Sequence, residues 1–365
     1  MKFIAPVAML AAMGYVGWHL KMLPHVACWL QWLLPTIEVA CVAMAIISLT
    51  QWLDRMPMGI ARFVYNVGNK SLIVMLYLFM VFLVVDILRM VHVLPTTWTP
   101  GQWWVSSILL ALMTVLFVGG SIHYRHKKRV VLEVESHGKT LVDTKPTTIV
   151  AVSDLHLGYH NRRKELSRWV DLINAEHPDA VLITGDLIDH SLRPVLGEDM
   201  AAELRRIEAP VYACMGNHEY YAERSMPGAV DKFFADSDIK LLQDSSVALP
   251  FGIIIGRDDR TNRHRSSVEQ LTSALPDSAY KILLDHQPYH LEEAENAGID
   301  LQISGHTHRG QVWPLSWVTD AVYECSWGYH RRGTTDYYVS SGLGIWGAKY
   351  RIGTQSEYLV VKINK

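Results

Sequence analysis

Five short segments of this 365-residue sequence carry side chains that can bind cations and move protons. They are SDLH (153–156), GDLID (185–189), GNHE (216–219), LLDHQP (283–288) and GHTH (305–308). Together they supply Asp154, His156, Asp186, Asn217, His286, His306 and His308. This donor set has oxygen and nitrogen but no thiolate. It suits manganese, iron, zinc or a mixed pair, and argues against soft-metal or iron–sulfur chemistry. Asp154 and His156 are two residues apart, as are His306 and His308, so in extended chain each pair projects from one face. GHTH is not the HExxH pattern of zinc proteases, which requires a helix. One such segment alone is weak, because a surface Asp beside a packed His explains it. Five in this order, each after a strand-like run, are far more specific.

The runs that must position these side chains are TIVAVSD (148–154), DAVLITGD (179–186), PVYACMGNH (210–218), YKILLDHQP (280–288) and IDLQISGHTH (299–308). VVLEVES (130–136), KLLQDSSVALP, FGIIIGRDD, DYYVSSGLG and EYLVVKINK read as further strands. Apolar spacing at Leu166, Trp169, Val170 and Ile173 predicts a helix over 161–176, and 198–208, 266–275 and 290–297 also read as helical. Strands alternating with helices, then strand-rich sequence, predict an α/β sandwich. The polar segments fall at the C-terminal ends of apolar runs, the edge where open α/β sheets bind ligands.

The DxH, GDxxD, GNH, isolated His and GHxH motifs resemble those of the calcineurin-like metallophosphoesterases, over roughly residues 145–365. The resemblance implies a four-layer αββα domain with two divalent metal ions, Mn being the first expectation and Fe, Zn or mixed metals the others. It implies that Asp154, His156 and His308 hold one cation, that Asn217, His286 and His306 hold the other, and that Asp186 bridges them. It places His218 beside the scissile phosphate and Asp189 in support. Two cations about 3.5–4 Å apart need a shared anion and can activate water for in-line attack on phosphorus. Neutral Asn217 ligates without adding negative charge near a phosphate. His218 is read as proton donor to the leaving oxygen or as stabiliser of transition-state charge.

Some positions fit less directly. Glu219 stands where the family often has Asp, and Arg309 where related membrane-associated members often have Gly. Arg309 is read as contacting substrate phosphate, limiting access, or forming a surface salt bridge. Asp285 or a backbone carbonyl is expected to orient a ligand histidine. Asp258, Asp259 and Arg260 are placed near the mouth without assigned chemistry. His160, His190 and His290 read as solvated or supporting, and His126 and His137 need no metal. GLGIWG (342–347) is neither a P-loop nor a dinucleotide motif; it reads as a tight loop whose Leu343 and Trp346 face a membrane or lipid chain.

Composition divides the chain. Half of it is hydrophobic and 19% is charged, yet residues 1–124 hold only nine charged side chains, six basic and three acidic. The expected organisation is a four-helix transmembrane domain (1–124), a juxtamembrane basic linker with the first strand (125–147), and the metallophosphoesterase domain (148–365). Apolar segments at Phe3–Leu20, Val26–Leu49, Ser71–Val93 and Trp103–His123 are each near the ~20 residues a spanning helix needs. Asp54–Lys70 is expected to be a loop along the membrane surface. Lys2, Arg55, Arg62, Lys70, Arg125, Lys127, Lys128 and Arg129 against Lys21 and Arg89 put the N-terminus and the large domain in the cytoplasm. Glu38 and Asp86 fall inside spans, where ionisable groups are costly. His19, His92 and Arg89 are the candidate partners. Four cysteines without CxxC spacing give no disulfide scaffold.

The expected function is dinuclear-metal hydrolysis of a phosphoester or pyrophosphate bond by metal-bound hydroxide, in a membrane phospholipid or lipid-linked phosphate substrate. The protein would be a multi-pass cell-membrane protein, in the inner membrane if the source is a Gram-negative bacterium. A net charge of -2 argues against a nucleic-acid partner. The alternatives are a membrane-anchored phosphodiesterase acting on a soluble nucleotide or phosphoester, and a metal-binding membrane sensor or scaffold.

Overall fold

A computed structural model describes residues 4–22, 28–99, 102–136, 138–139 and 146–364. Lys2, Phe3, Val26, His137 and linker residues 140–145 lie outside the described residues. The chain divides into two compact units, Met1–Gly119 and Gly120–Lys365.

The first unit is helical, with α1 (Ile4–Lys21), α2 (Cys28–Ser48), the single turn α3 (Trp52–Arg55), α4 (Met58–Met90) and most of α5 (Trp103–Arg125). All four expected long helices form. Among the described residues three candidate spans, Gln31–Ser48, Met58–Met90 and Trp103–Arg125, are long and apolar enough to cross a membrane. The 18 residues of α1 fall short of that group, since they include Pro6 and end in His19 and Lys21.

Residues 58–70 are not the expected surface loop; they continue α4, which starts directly after Pro57. No breaker interrupts them, and Gly68 lets α4 touch α2: a Cβ there would lie 2.5 Å from the Ala45 nitrogen. At about 1.5 Å per residue, α4 exceeds the hydrocarbon thickness of ~30 Å. Asp86 is paired, accepting hydrogen bonds from Tyr15 Oη (2.6 Å) and Arg89 Nη1 (3.2 Å), with His19 Nε2 at 2.9 Å. Glu38 is buried against Gly17, and its Oε1 has no hydrogen-bond partner among the described residues.

Among the described residues the second unit is built on twelve strands: β1 (Lys127–Glu135), β2 (Thr147–Val152), β3 (Ala180–Thr184), β4 (Val211–Cys214), β5 (Ile239–Leu241), β6 (Ser245–Leu249), β7 (Gly252–Gly256), β8 (Lys281–Leu284), β9 (Leu301–Ser304), β10 (Gly328–Arg332), β11 (Thr335–Val339) and β12 (Ser356–Asn364). They form two six-stranded sheets, ordered β1-β12-β2-β3-β4-β5 and β10-β11-β9-β8-β7-β6. Strands β2 to β5 run parallel, as do β7, β8, β9 and β11.

Alternation of side chains along each strand makes this a sandwich. Ile149, Ala151, Leu182 and Leu359 of the first sheet share one core with Ile254, Ile282, Leu284 and Ile303 of the second. The opposite face of the first sheet, with Val150, Val181 and Ala213, packs on Leu166 and Trp169 of a helix (Arg163–Asn174) and on Phe233. The outer face of the second, with Ile255, Leu283 and Tyr337, packs on Val268, Leu291 and Ala294. The layers are therefore helix, sheet, sheet, helix.

Candidate metal centre

Parallel strands end together, so the polar segments that follow them meet along one edge. Asp154 and His156 follow β2; Asp186 and Asp189 follow β3. Asn217 and His218 open a helix (Asn217–Ser225) after β4; His286 follows β8, and His306 and His308 follow β9. The expected reason for the shared direction of the residue pairs does not hold. Asp154 (φ 55°), His156 (45°), His306 (69°) and His308 (48°) are left-handed rather than extended, as is Asp186 (52°). Non-glycine residues adopt this conformation infrequently, Asp and His more readily than most, and here five of them hold it in one place, as backbone strain clusters at functional sites.

Three groups of donors result among the described residues, of which one, His156, Asp189 and His218, shares His156 with the next. Donor atoms of Asp154, His156 and His308 lie within 4.8 Å of one another, and so do those of Asp186, His286 and His306. The Nε2 atoms of His156 and His308 face each other at 3.0 Å, with Asp154 Oδ1 at 3.9 Å and 3.5 Å from them. Asp186 Oδ2 lies 3.7 Å from His156 Nε2 and 3.1 Å from His286 Nε2, so one carboxylate oxygen stands between these last two groups. Asn217 Oδ1 is buried with no hydrogen-bond partner among the described residues.

These residues fit a pair of divalent cations. Two imidazole nitrogens aimed at each other beside a carboxylate, and a buried carbonyl oxygen without a donor, are unspent ligand atoms rather than a finished hydrogen-bond network. Burial, then neighbouring positive groups, lowers His156 to about 3 and His306 to about 4, and lowers His308 well below its usual range. Imidazoles kept neutral are in the form that ligates metal. Burial alone would raise Asp186, but His286, His218 and His156 hold it well below the usual carboxylate range.

The supporting contacts are specific. His286 Nδ1 lies 2.8 Å from the Thr184 carbonyl, which turns Nε2 toward Asp186. Asp285 does not orient His286: it is buried between Arg257 and Arg265, each at 3.1 Å. Asp189 Oδ1 lies 3.1 Å from His218 Nδ1. Burial disfavours the charged form of His218, but Asp186 and the Asp189 hydrogen bond outweigh it and raise the group to about 9.

Glu219 escaped the sequence reading as a site residue. It is fully buried, and its carboxylate accepts from the backbone N–H groups of Asp186 (3.0 Å), Ile188 (2.9 Å) and Gly216 (2.8 Å), tying the β3 loop to the β4 loop. Burial, then the Asp186 charge, pushes its carboxyl up to about 7. Its position in the first turn of the helix, reaching back to the residue before it, is half of a capping box and was the available signal.

Around this centre, Asp258 is buried and bonded by Tyr220, Gln243 and Asn262; Asp259 receives Gln287. Arg260 lies over the Tyr289 ring at 4.0 Å and Arg309 over Trp327 at 3.8 Å. Trp346 stands 6.5 Å from His218, ring to ring. Leu343 is buried in the core and faces no membrane. His160 is buried, with Nε2 at 2.7 Å from the Ile345 carbonyl, and His290 is exposed beside Glu292.

The sequence profile of the calcineurin-like phosphoesterase family matches residues 147–310. Those residues form a calcineurin-like phosphoesterase domain. An uncharacterized metallophosphoesterase of Campylobacter jejuni is 28% identical over 261 residues, 70% of this chain and 68% of its own length. One from Helicobacter pylori is 30% identical, covering 60% of each chain. A transmembrane protein with metallophosphoesterase domain from Danio rerio is 28% identical over 70% of this chain and 62% of its own. This chain thus spans about two thirds of the length of the relatives it matches.

Proposed function

We propose that this protein is a metal-dependent hydrolase of a phosphoester or pyrophosphate bond, with a membrane lipid or lipid-linked phosphate as substrate. The observation that carries the reading is the single carboxylate, Asp186, standing between two clusters of unspent donors. Asp154, His156 and His308 would hold one divalent ion; Asn217, His286 and His306 the other; Asp186 both. When bound, such a pair supplies an activated water and charge neutralisation for the phosphate. Mn is the first candidate.

His218 spends Nδ1 on Asp189, so its Nε2 is the nitrogen left to donate a proton to the leaving oxygen. Asp189 fixes the ring. Glu219 holds the Asp186 loop in register with the Asn217 loop and touches no substrate. Tyr221 and Trp346 flank His218 and would exclude water from the reacting phosphate.

Three helices of membrane-spanning length support a lipid-borne substrate, since anchoring alone needs one. The excess of basic residues on one side of those helices supports a cytoplasmic catalytic domain. The test is turnover by the Mn-loaded full-length protein on native lipid extract and on a nucleotide panel, with Asp186→Asn as control and products identified by mass. Cleaved lipid phosphates are expected. Turnover of nucleotides alone would move the reading to a membrane-anchored phosphodiesterase, and no Asp186-dependent product would end it.

A further inference from the structure

The helix Leu315–Val322 has no buried residue. With the residue pair leading into it, it exposes Trp313 (43%), Trp317 (64%), Val318 (58%) and Val322 (55%), and the two tryptophan rings meet at 5.3 Å. Positions 317, 318 and 322 lie on one side of the helix at helical spacing, and the Trp313 ring joins them through Trp317. An apolar face of this kind on a domain surface marks an interaction site.

What covers it follows from what it is attached to. The last residues of α5, Gly120–Arg125, fold as part of the second unit. Arg351 N–H donates to the Gly120 carbonyl at 3.1 Å. Gly120 lies so close to Ile352 that a Cβ would come within 2.7 Å of its side chain. Trp313 N–H then donates to the Ile352 carbonyl at 2.7 Å. One residue thus separates the end of a membrane-spanning helix from the start of the apolar helix. At the same end of α5, Arg125, His126 and Lys128 are exposed and basic. Tryptophans beside a basic cluster at the end of a span are the composition of a membrane–water interface with anionic headgroups.

We propose that helix 315–322, with Trp313, lies in the bilayer interface beside the end of α5, its apolar face in the headgroup–acyl boundary. The occupant of the exposed face is lipid. The proposal rests on α5 being a membrane span and is independent of the hydrolase reading. Its consequence deepens that reading. Gly310 lies against this helix, a Cβ there coming 2.3 Å from the Leu315 carbonyl carbon, and Gly310 is two residues from His308. The His306–His308 edge of the proposed metal centre would therefore face headgroups, and a phosphate carried by a lipid would reach it without leaving the membrane.

The experiment uses the full-length chain in nanodiscs of phosphatidylcholine and phosphatidylglycerol, with Cys28 and Cys41 replaced by Ser. An environment-sensitive fluorophore is placed on Val318→Cys, and in a control protein on Ser246→Cys, an exposed position on β6 at the far edge of the second sheet. The 318 probe should emit blue-shifted and lose most of its emission when lipids quench-labelled near the headgroup are included. The 246 probe should do neither. Water-like, unquenched emission from 318 in a protein with unchanged circular dichroism would overturn the proposal. So would shielding of 318 that depends on protein concentration rather than on lipid, because a second copy would then be the occupant. Failure of the hydrolase reading would leave the quenching intact. If both hold, Trp313→Ser/Trp317→Ser should lose turnover of vesicle-borne substrate while keeping turnover of a soluble chromogenic phosphodiester.

Discussion

Asp86 and Asp186 each stand beside histidine in this molecule, and their surroundings differ in kind. Asp86, in the helical unit, is met by a phenol, an imidazole and a guanidinium, so its lone pairs are spent on donors. Asp186, at the edge of the sandwich, is met by imidazoles whose neighbours are other imidazoles and an unpartnered amide oxygen. The first arrangement is electrically complete and holds helices together. The second also takes the His218 N–H at 2.9 Å, but it leaves nitrogen facing nitrogen at His156 and His308 and the Asn217 Oδ1 without a partner among the described residues, and it becomes complete when cations are added. An acid beside a histidine therefore does not by itself mark a metal centre; the unspent atoms do.

The contrast is broken most directly at Asp186. Asp186→Asn should lose a cation and reduce turnover of a soluble chromogenic phosphodiester by more than the roughly 10–100-fold typical of residues that only support a ligand. Metal content per chain, measured beside the rate, checks it; two bound metals with full activity would erase the distinction. His218→Ala should keep both metals and slow turnover by about 10²–10⁴-fold, the usual worth of a positioned proton donor. Loss of metal in that variant would move His218 into the ligand set.

Glu219→Gln keeps its size but gives up the charge that receives three backbone N–H groups. It should weaken metal binding by about 10–100-fold in a chelator competition while the protein stays folded. The smallest effect on chemistry belongs to Asp86→Asn. It should leave metal content and turnover unchanged and lower stability in detergent by about 1–3 kcal/mol, read as a lower melting temperature. A collapse of turnover there would mean that the closed cluster is not merely structural.

The donors of the proposed centre were legible because residue type and order survive translation into a sheet edge. Strands ending in Asp, Asn and His announce what they carry. Their backbone conformation was not legible: two-residue spacing suggested extended chain, and the observed left-handed turns depend on packing from other segments. Glu219 acts on backbone groups, which the sequence does not display as partners. Helix 315–322 was missed because periodicity reveals a helix through the face it buries, and this one buries none. The continuation of α4 through 58–70 was missed because Arg62, Asn66, Asn69 and Lys70 look like loop composition, while Gly68 in fact lets two helices touch.

A practical boundary follows from Tyr124. Its ring is buried, and its hydroxyl donates to Asn161 Oδ1 at 3.1 Å, while Asn161 in turn donates to the carbonyls of Leu155, within the DLH segment, and of Ile345. Only His126 separates α5 from β1. A water-soluble fragment cut at the first strand would therefore leave a hole under the catalytic loops. Truncations meant for crystallisation or assay must begin upstream of Gly120 and carry the last turns of a greasy helix with them.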